Sequence, residues 1–306
     1  MPNWFFYAII GPILWGIVNH ADRYLLNRHY KGHGVGAILI FSALFSGILL
    51  VFISFVLKIP VGGVPLNDML LLIGIGILGA FAFAFYLKAL DIEETSIVVP
   101  FLQMGPVFGY FFGYMFLGES LSFKEILASL LILLGVGLLS FEVDVENKIS
   151  FKRKMIFLAM GASILFALQD TLFKRVALQE SFWVSAFWEY VGLTLAGFFV
   201  LFTMPKYRKQ FLGIFKGRQY SLISINFASE SLYLIGNLAS NFAMLFAPVT
   251  LVMVIGSYQP LFVLLTGILG SLLLPQFFSE KVRGRALVHK IVSVTIVVIG
   301  SCWLYV

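Results

Sequence analysis

The sequence predicts an all-α polytopic membrane protein with ten transmembrane helices, arranged as two inverted five-helix repeats. Three observations carry that expectation. Of 306 residues, 60% are hydrophobic and only 12% are charged, whereas chains with water-facing surfaces carry about 25%. The apolar residues fall into ten runs, each near the roughly 20 residues that a helix needs to cross a hydrocarbon core about 30 Å thick. Within the runs, apolar and polar residues do not alternate as they would in a barrel strand. Unpaired backbone groups in lipid cost several kcal/mol each, so continuous helix is the remaining way to span.

In chain order the expected spans are 4–26, 35–57, 66–90, 96–117, 123–141, 155–176, 182–203, 220–246, 249–274 and 286–305. The first ends ahead of Arg28 and Lys31, the second at Lys58, and the third holds Lys88 near its end. A short connection with Lys124 separates the fourth from the fifth. The longest polar stretch, FEVDVENKISFKRK, follows the fifth and reads as a linker at 146–154 between halves 1–145 and 155–306. The sixth closes on Lys174 and Arg175, and the seventh precedes Lys206, Arg208, Lys209, Lys216 and Arg218. The tenth follows Lys281, Arg283 and Arg285.

These basic residues account for most of the formal net charge of +6 and read as topology signals, not as a nucleic-acid surface. Fifteen Lys and Arg fall in odd-numbered connections and four in even-numbered ones, which places the odd connections in the cytoplasm and both termini outside. No cleavable signal peptide is expected, because residues 1–6 hold no Lys or Arg. The single cysteine, Cys302, permits neither an intrachain disulfide nor a thiol metal cluster, and no cofactor or metal is expected.

The halves also align on each other. An offset of 150 pairs Gly11 with Gly161 and Asn19 with Gln169; an offset of 154 pairs Ala89 with Ala243, Pro106 with Pro260, Phe108 with Phe262 and Gly113 with Gly267. Five crossings are an odd number, so the second copy enters the membrane from the opposite side. Inverted repeats of this kind hold a site near the midplane where the halves meet.

An ionisable side chain inside the hydrocarbon costs at least about 2.5 kcal/mol on insertion scales, so each is a functional candidate. Glu230 stands halfway along the eighth span, and Asn226, Tyr233, Asn237 and Asn241 recur around it at spacings of three or four. They share one helix face, which lines a water-filled cavity or else hydrogen-bonds neighbouring helices. Glu230 is the proton-coupling candidate, since a carboxyl in low dielectric can take up a proton. Glu189, between Trp188 and Tyr190 in the seventh span, faces the same cavity or snorkels to the interface. Trp15 and Asn19 share a face of the first span with Asp22, and the sixth offers Gln169 and Asp170. The competing reading of Asp170 is an interfacial ion pair with Lys174, four residues on. Gln103 and Gln259 lie beside Pro106 and Pro260, which free a backbone carbonyl. Tyr258 is the aromatic best suited to stack on an organic substrate or cation. Gly105, Gly109 and Gly113 read as helix packing. Gly74, Gly76 and Gly79 spell GxGxxG within an apolar run, so a dinucleotide site is not expected.

The segment YLKALDIEETSIVVPFLQMGPVFGYFFGYMFLGESLSFKEILASLLILLGVGLLS, 86–140, resembles the EamA-type module of the drug/metabolite transporter superfamily. The marks are the Thr95/Ser96 turn, Pro106, the Gly118-Glu119 pair and the Gly135/Gly137 run; a degenerate second copy runs from 241 to 303, with Glu280 in the place of Glu119. The resemblance implies ten spans, a central cavity, peripheral fifth and tenth helices, and termini opposite to those the basic residues indicate.

The resulting expectation is a secondary transporter moving a small organic metabolite, an amine, amino acid or similar compound, by alternating access with proton coupling as an option. The alternatives are a carrier for a nucleotide-linked or lipid-linked sugar and a non-transporting membrane scaffold. An enzyme is not expected, because no HExxH, GxSxG or paired His/Asp motif accompanies the four histidines. The expected partners are membrane lipid and a small-molecule substrate, with a homodimer left open and no nucleic acid. The expected location is the cell inner membrane, as a multi-pass protein.

Overall fold

The computed structural model describes residues 3–25, 34–92, 98, 101–140, 153–216, 220–273 and 285–305, and among them there is no strand. In chain order the helices are α1 (Asn3–Leu25), α2 (Val35–Val56, closing on a π turn at Phe52–Val56), α3 (Leu66–Leu90), α4 (Gly105–Leu117), α5 (Phe123–Ser140) and α6 (Arg153–Ala177). They continue as α7 (Phe182–Thr203), α8 (Pro205–Lys216), α9 (Tyr220–Met244), α10 (Val249–Gly256), α11 (Gln259–Leu273) and α12 (Arg285–Tyr305). The Thr95/Ser96 turn, Glu280 and most of the polar linker at 146–154 lie outside the described residues, as do the side chains of Asp22 and Arg23.

Six segments are long and apolar enough to cross a membrane: Asn3–Ala21, α2, α3, α6, α7 and Val249–Gly270, the last uniting α10 with α11. Helix α9 has the length, at 25 residues, but Asn226, Glu230, Asn237 and Asn241 lower its hydropathy. Large apolar side chains such as Phe55, Phe81, Tyr114, Phe157 and Phe202 stand 60–74% exposed, as a lipid-facing surface requires. The chain is an integral membrane protein.

Local sequence explains the helix ends. Ser181 caps α7 by accepting the Val184 N–H at 3.3 Å. At α5 the Ser122 backbone N–H donates to Glu125 Oε2 at 2.8 Å while Ser122 Oγ accepts the Glu125 N–H at 3.3 Å, a reciprocal capping box. Gly118 ends α4 in the left-handed region, at φ 66°, where a side chain would be strained. Two features depart from the expected spans. A turn interrupts the fourth at Gln103-Met104 and the ninth at Ser257-Tyr258. The connection after the seventh is a helix, α8.

Helix α3 packs along both α6 and α7, and α1 packs along α9 and α11. The α3–α7 seam is a backbone contact. A β-carbon at Gly76 would lie 1.9 Å from the Glu189 carbonyl oxygen, and one at Gly192 would lie 2.0 Å from that of Ile73. Across the molecule, α2 and α9 touch at only a few positions. Helices α5 and α12 pair with each other and scarcely meet the rest, with Gly135 against Val297 and Gly300 against Ile132.

Candidate functional site

A cavity of about 290 Å³ opens between the helices, walled by α1, α2, α3, α4, α6, α7, α9, α10 and the start of α11. Ten of the twelve residues singled out in the sequence line it: Trp15 and Asn19, Gln103, Gln169, Glu189, Glu230, Tyr233, Asn237 and Asn241, and Gln259. The other two do not. Asn226 is buried one turn before Glu230, and Tyr258 sits in the apolar cluster with Val254 and Ile255. The turn at Ser257-Tyr258 directs Ser257 and Gln259 to the cavity in its place.

The α9 face is built as the spacing predicts, since residues three or four apart project from one side. Ser42 of α2 donates a hydrogen bond to Glu230 Oε1 across the sparse α2–α9 seam. Beside it, the rings of Phe45 and Phe227 meet edge-on at 5.0 Å. On the facing wall, Gln169 Nε2 donates to Glu189 Oε1 at 2.9 Å. Glu189 is 3% exposed, and its Oε2, the Gln169 Oε1 and the Trp15 Nε1 have no hydrogen-bond partner. Glu189 therefore does not snorkel to the interface. Buried polar groups are ordinarily paired, and an orphan costs about 1–3 kcal/mol. Three such atoms around one cavity are what a polar ligand would satisfy.

Two glycines make room for this constellation. A β-carbon at Gly79 would stand 2.7 Å from the Gln169 amide, and one at Gly236 would stand 2.8 Å from Trp15 Nε1. The GxGxxG of α3 thus admits Glu189's helix at Gly76 and Gln169 at Gly79, and a β-carbon at Gly74 would meet nothing within 4 Å.

Asp170 also lines the cavity. The i,i+4 ion pair with Lys174 does not form. Lys174 turns away, pairs with Glu119 beyond the end of α4, and donates to the Ala247 carbonyl at 2.7 Å. Sequence reasoning also missed Ser42 and the aromatic wall of Phe83, Tyr86 and Tyr190. Phe83 stands 6.0 Å from Tyr86 and 6.3 Å from Tyr233, centroid to centroid. Isolated serines and aromatics in apolar runs are too common for the sequence to single them out; the adjacency of Tyr190 to Glu189 was the one available signal. Among the described residues, no three His, Cys, Asp or Glu are grouped to hold a metal ion.

The fold is similar to that of a solved chain titled "Crystal structure of protein", with a TM-score of 0.62 at 15% identity, covering 98% of this chain and 94% of that one. That likeness concerns the fold alone. No curated protein sequence matches the chain. Residues 2–141 match the profile described as the EamA-like transporter family. That match covers the first half of this integral membrane protein, which is thus similar to the EamA-like transporter family of the drug/metabolite transporter superfamily.

Proposed function

We propose that the chain is a secondary transporter that carries a small organic cation, an amine or amine-bearing metabolite, by alternating access between two inverted five-helix halves. The charge of the cavity carries the cargo class. Asp170, Glu189 and Glu230 line it, and among the described residues no Lys, Arg or His does. A carboxylate withdrawn from water is stabilised by a cation brought to it, by about 4 kcal/mol for unit charges about 4 Å apart at an effective dielectric near 20. Tyr86, Tyr190 and Tyr233 add ring faces that attract cations. A sugar nucleotide would meet three carboxyl groups and, among the described residues, no cationic side chain. A scaffold would gain nothing from three orphaned polar atoms around a central cavity.

The inverted halves are supported by matching parts. Helices α3 and α9 are each 25 residues long, and α2 and α7 are each 22. The turns at 103–104 and 257–258 share the offset of 154 seen in the sequence. Exchanging the halves carries the α1–α9 packing onto α6–α3, and α1–α11 onto α6–α4. The largest departure from this symmetry is one seam: α3–α7 is closed, and its counterpart α9–α2 is nearly free of contact. A transporter caught in one of two alternating states has one seam closed and the other open.

Reconstitution into vesicles and counterflow with a panel of amines, amino acids and nucleotide sugars tests the cargo class. Amines should exchange. Glu189→Gln should raise KM about 10- to 100-fold, the value of one charge-assisted contact. If Glu230 couples protons, Glu230→Gln should also lose its response to an imposed pH gradient, and full pH-dependent transport by that variant would remove it from coupling. Exchange of nucleotide sugars with none of amines would overturn the cargo class, and exchange of nothing would favour a scaffold.

A further inference from the structure

Helix α8 has no counterpart between α2 and α3, where residues 57–65 are non-helical. It is the one described helix whose composition is basic and amphipathic: PKYRKQFLGIFK holds four Lys or Arg, and the sequence has no Asp or Glu anywhere between Glu189 and Glu230. Its inner face is docked. Gln210 Oε1 accepts the Gly36 backbone N–H of α2 at 3.0 Å, and Tyr207 lies so close that a β-carbon at Gly36 would stand 2.4 Å from its ring. Its outer face carries Lys206, Arg208 and Lys209, all exposed and, among the described residues, without an ion-pair partner.

The position of this face along the membrane normal follows from its neighbours. Phe198, Phe199 and Phe202 on the last turns of α7 are 44–70% exposed, which marks hydrocarbon. Met204 then leaves helical geometry at φ −109° and ψ 89°, and Pro205 starts a new helix. Leu212, 45% exposed, stands two turns beyond Met204. A helix whose exposed side carries basic residues with Leu212 among them, and which begins where the exposed phenylalanines end, lies at the headgroup boundary.

We propose that α8 is a binding site for an anionic phospholipid, whose headgroup phosphate is held by Lys206, Arg208 and Lys209 while Met204 and Leu212 rest against its acyl chains. The occupant is specified by charge. Basic residues at a membrane surface attract anionic headgroups and discriminate against zwitterionic ones, and among the described residues no acidic side chain pairs with these three.

The test is lipid retention by the full-length protein. Protein reconstituted with equal amounts of phosphatidylglycerol and phosphatidylcholine is extracted in mild detergent, and native mass spectrometry counts the lipids that stay bound. Wild type should retain phosphatidylglycerol in preference to phosphatidylcholine. Lys206→Gln, Arg208→Gln and Lys209→Gln should each weaken that preference about five-fold, and together roughly 100-fold, with an unchanged thermal unfolding midpoint. Lys124→Gln, an exposed basic residue at the start of α5, should change nothing. Equal retention of the two lipids by wild type overturns the proposal without any variant, as does an equal loss in Lys124→Gln.

Discussion

Lys174→Met isolates the clamp that joins the two halves at one end of the molecule. Lys174 and Glu119 have side chains only 7% and 15% exposed. Lys174 Nζ donates to Glu119 Oε1 and, at 2.7 Å, to the Ala247 carbonyl; Glu119 Oε2 accepts the Val249 backbone N–H at 2.9 Å. The clamp thus binds the α4–α5 connection of the first half to α6 and the α9–α10 connection of the second. Methionine keeps most of the stem volume and removes only the charge and its donors. The variant leaves a carboxylate with one backbone donor and a bare carbonyl, and breaking a buried pair from one side costs about 3–5 kcal/mol. Glu119→Gln in the same chain removes the stranded charge, so the double variant should lose only about 1–2 kcal/mol, the value of the missing hydrogen bonds. Reversible unfolding in bicelles, followed by steric trapping, measures both. A loss below about 1 kcal/mol for Lys174→Met would mean that the pair behaves as a solvated surface bridge. Equality of the double variant with the sum of the singles would mean that the two residues are not coupled.

Two positions on α3 make a matched pair. Gly74→Ala meets open space and should stabilise the helix by about 0.5–1 kcal/mol. Gly76→Ala drives a β-carbon into the Glu189 carbonyl, so α3 and α7 must separate, at about 1–3 kcal/mol; thermal unfolding of both variants reads the contrast. Trp15→Phe removes an indole N–H that bonds nothing in the protein, so it should cost no more than about 1 kcal/mol of stability while weakening cargo affinity in a binding titration.

The legible part of the fold was whatever hydropathy and period encode within one helix. The ten apolar runs carry helical signal because lipid forbids unpaired backbone, and the α9 stripe was readable because its residues recur every three or four positions. What the sequence withheld was set between helices. Asp170 and Lys174 satisfy the i,i+4 rule, yet Lys174 prefers a carboxylate 55 positions away, and nothing local announces that Glu119 arrives there. Tyr258 is by residue type an aromatic suited to stacking on a cation, but the turn at 257–258 places it in apolar packing. Gly74, Gly76 and Gly79 looked alike in sequence, and only the approach of α7 and α6 distinguishes them. The residues after Pro205 read as a charged connection because a basic amphipathic helix of 12 residues is too short and too polar to register as a span.

Under the proposed alternating access, the two seams set on each other give a reason for a carboxyl at Glu230. Matching α3 to α9 and α2 to α7 by their ends carries Gly76 onto Glu230 and Glu189 onto Ser42. The closed seam is built where Gly76 meets the Glu189 backbone; the open seam is bridged at the equivalent place by Ser42 and Glu230. In each seam the carboxyl-bearing helix faces a small residue, but the carboxyl has changed sides. Under the alternating-access reading, closing α2 onto α9 as tightly as α3 onto α7 would press the Glu230 side chain against the α2 backbone and strip it of water. A bare carboxylate there would cost several kcal/mol, and a cation delivered to it, whether a proton or an ammonium group, removes that cost. Glu189 escapes the same constraint in the closed seam because Gly76 meets its backbone, leaving the side chain free to reach Gln169 and the cavity. Under that reading the asymmetry assigns the two carboxyls different work: Glu189 would hold a fixed place in the cargo site, and Glu230 would make closure of the open seam conditional on what it has bound.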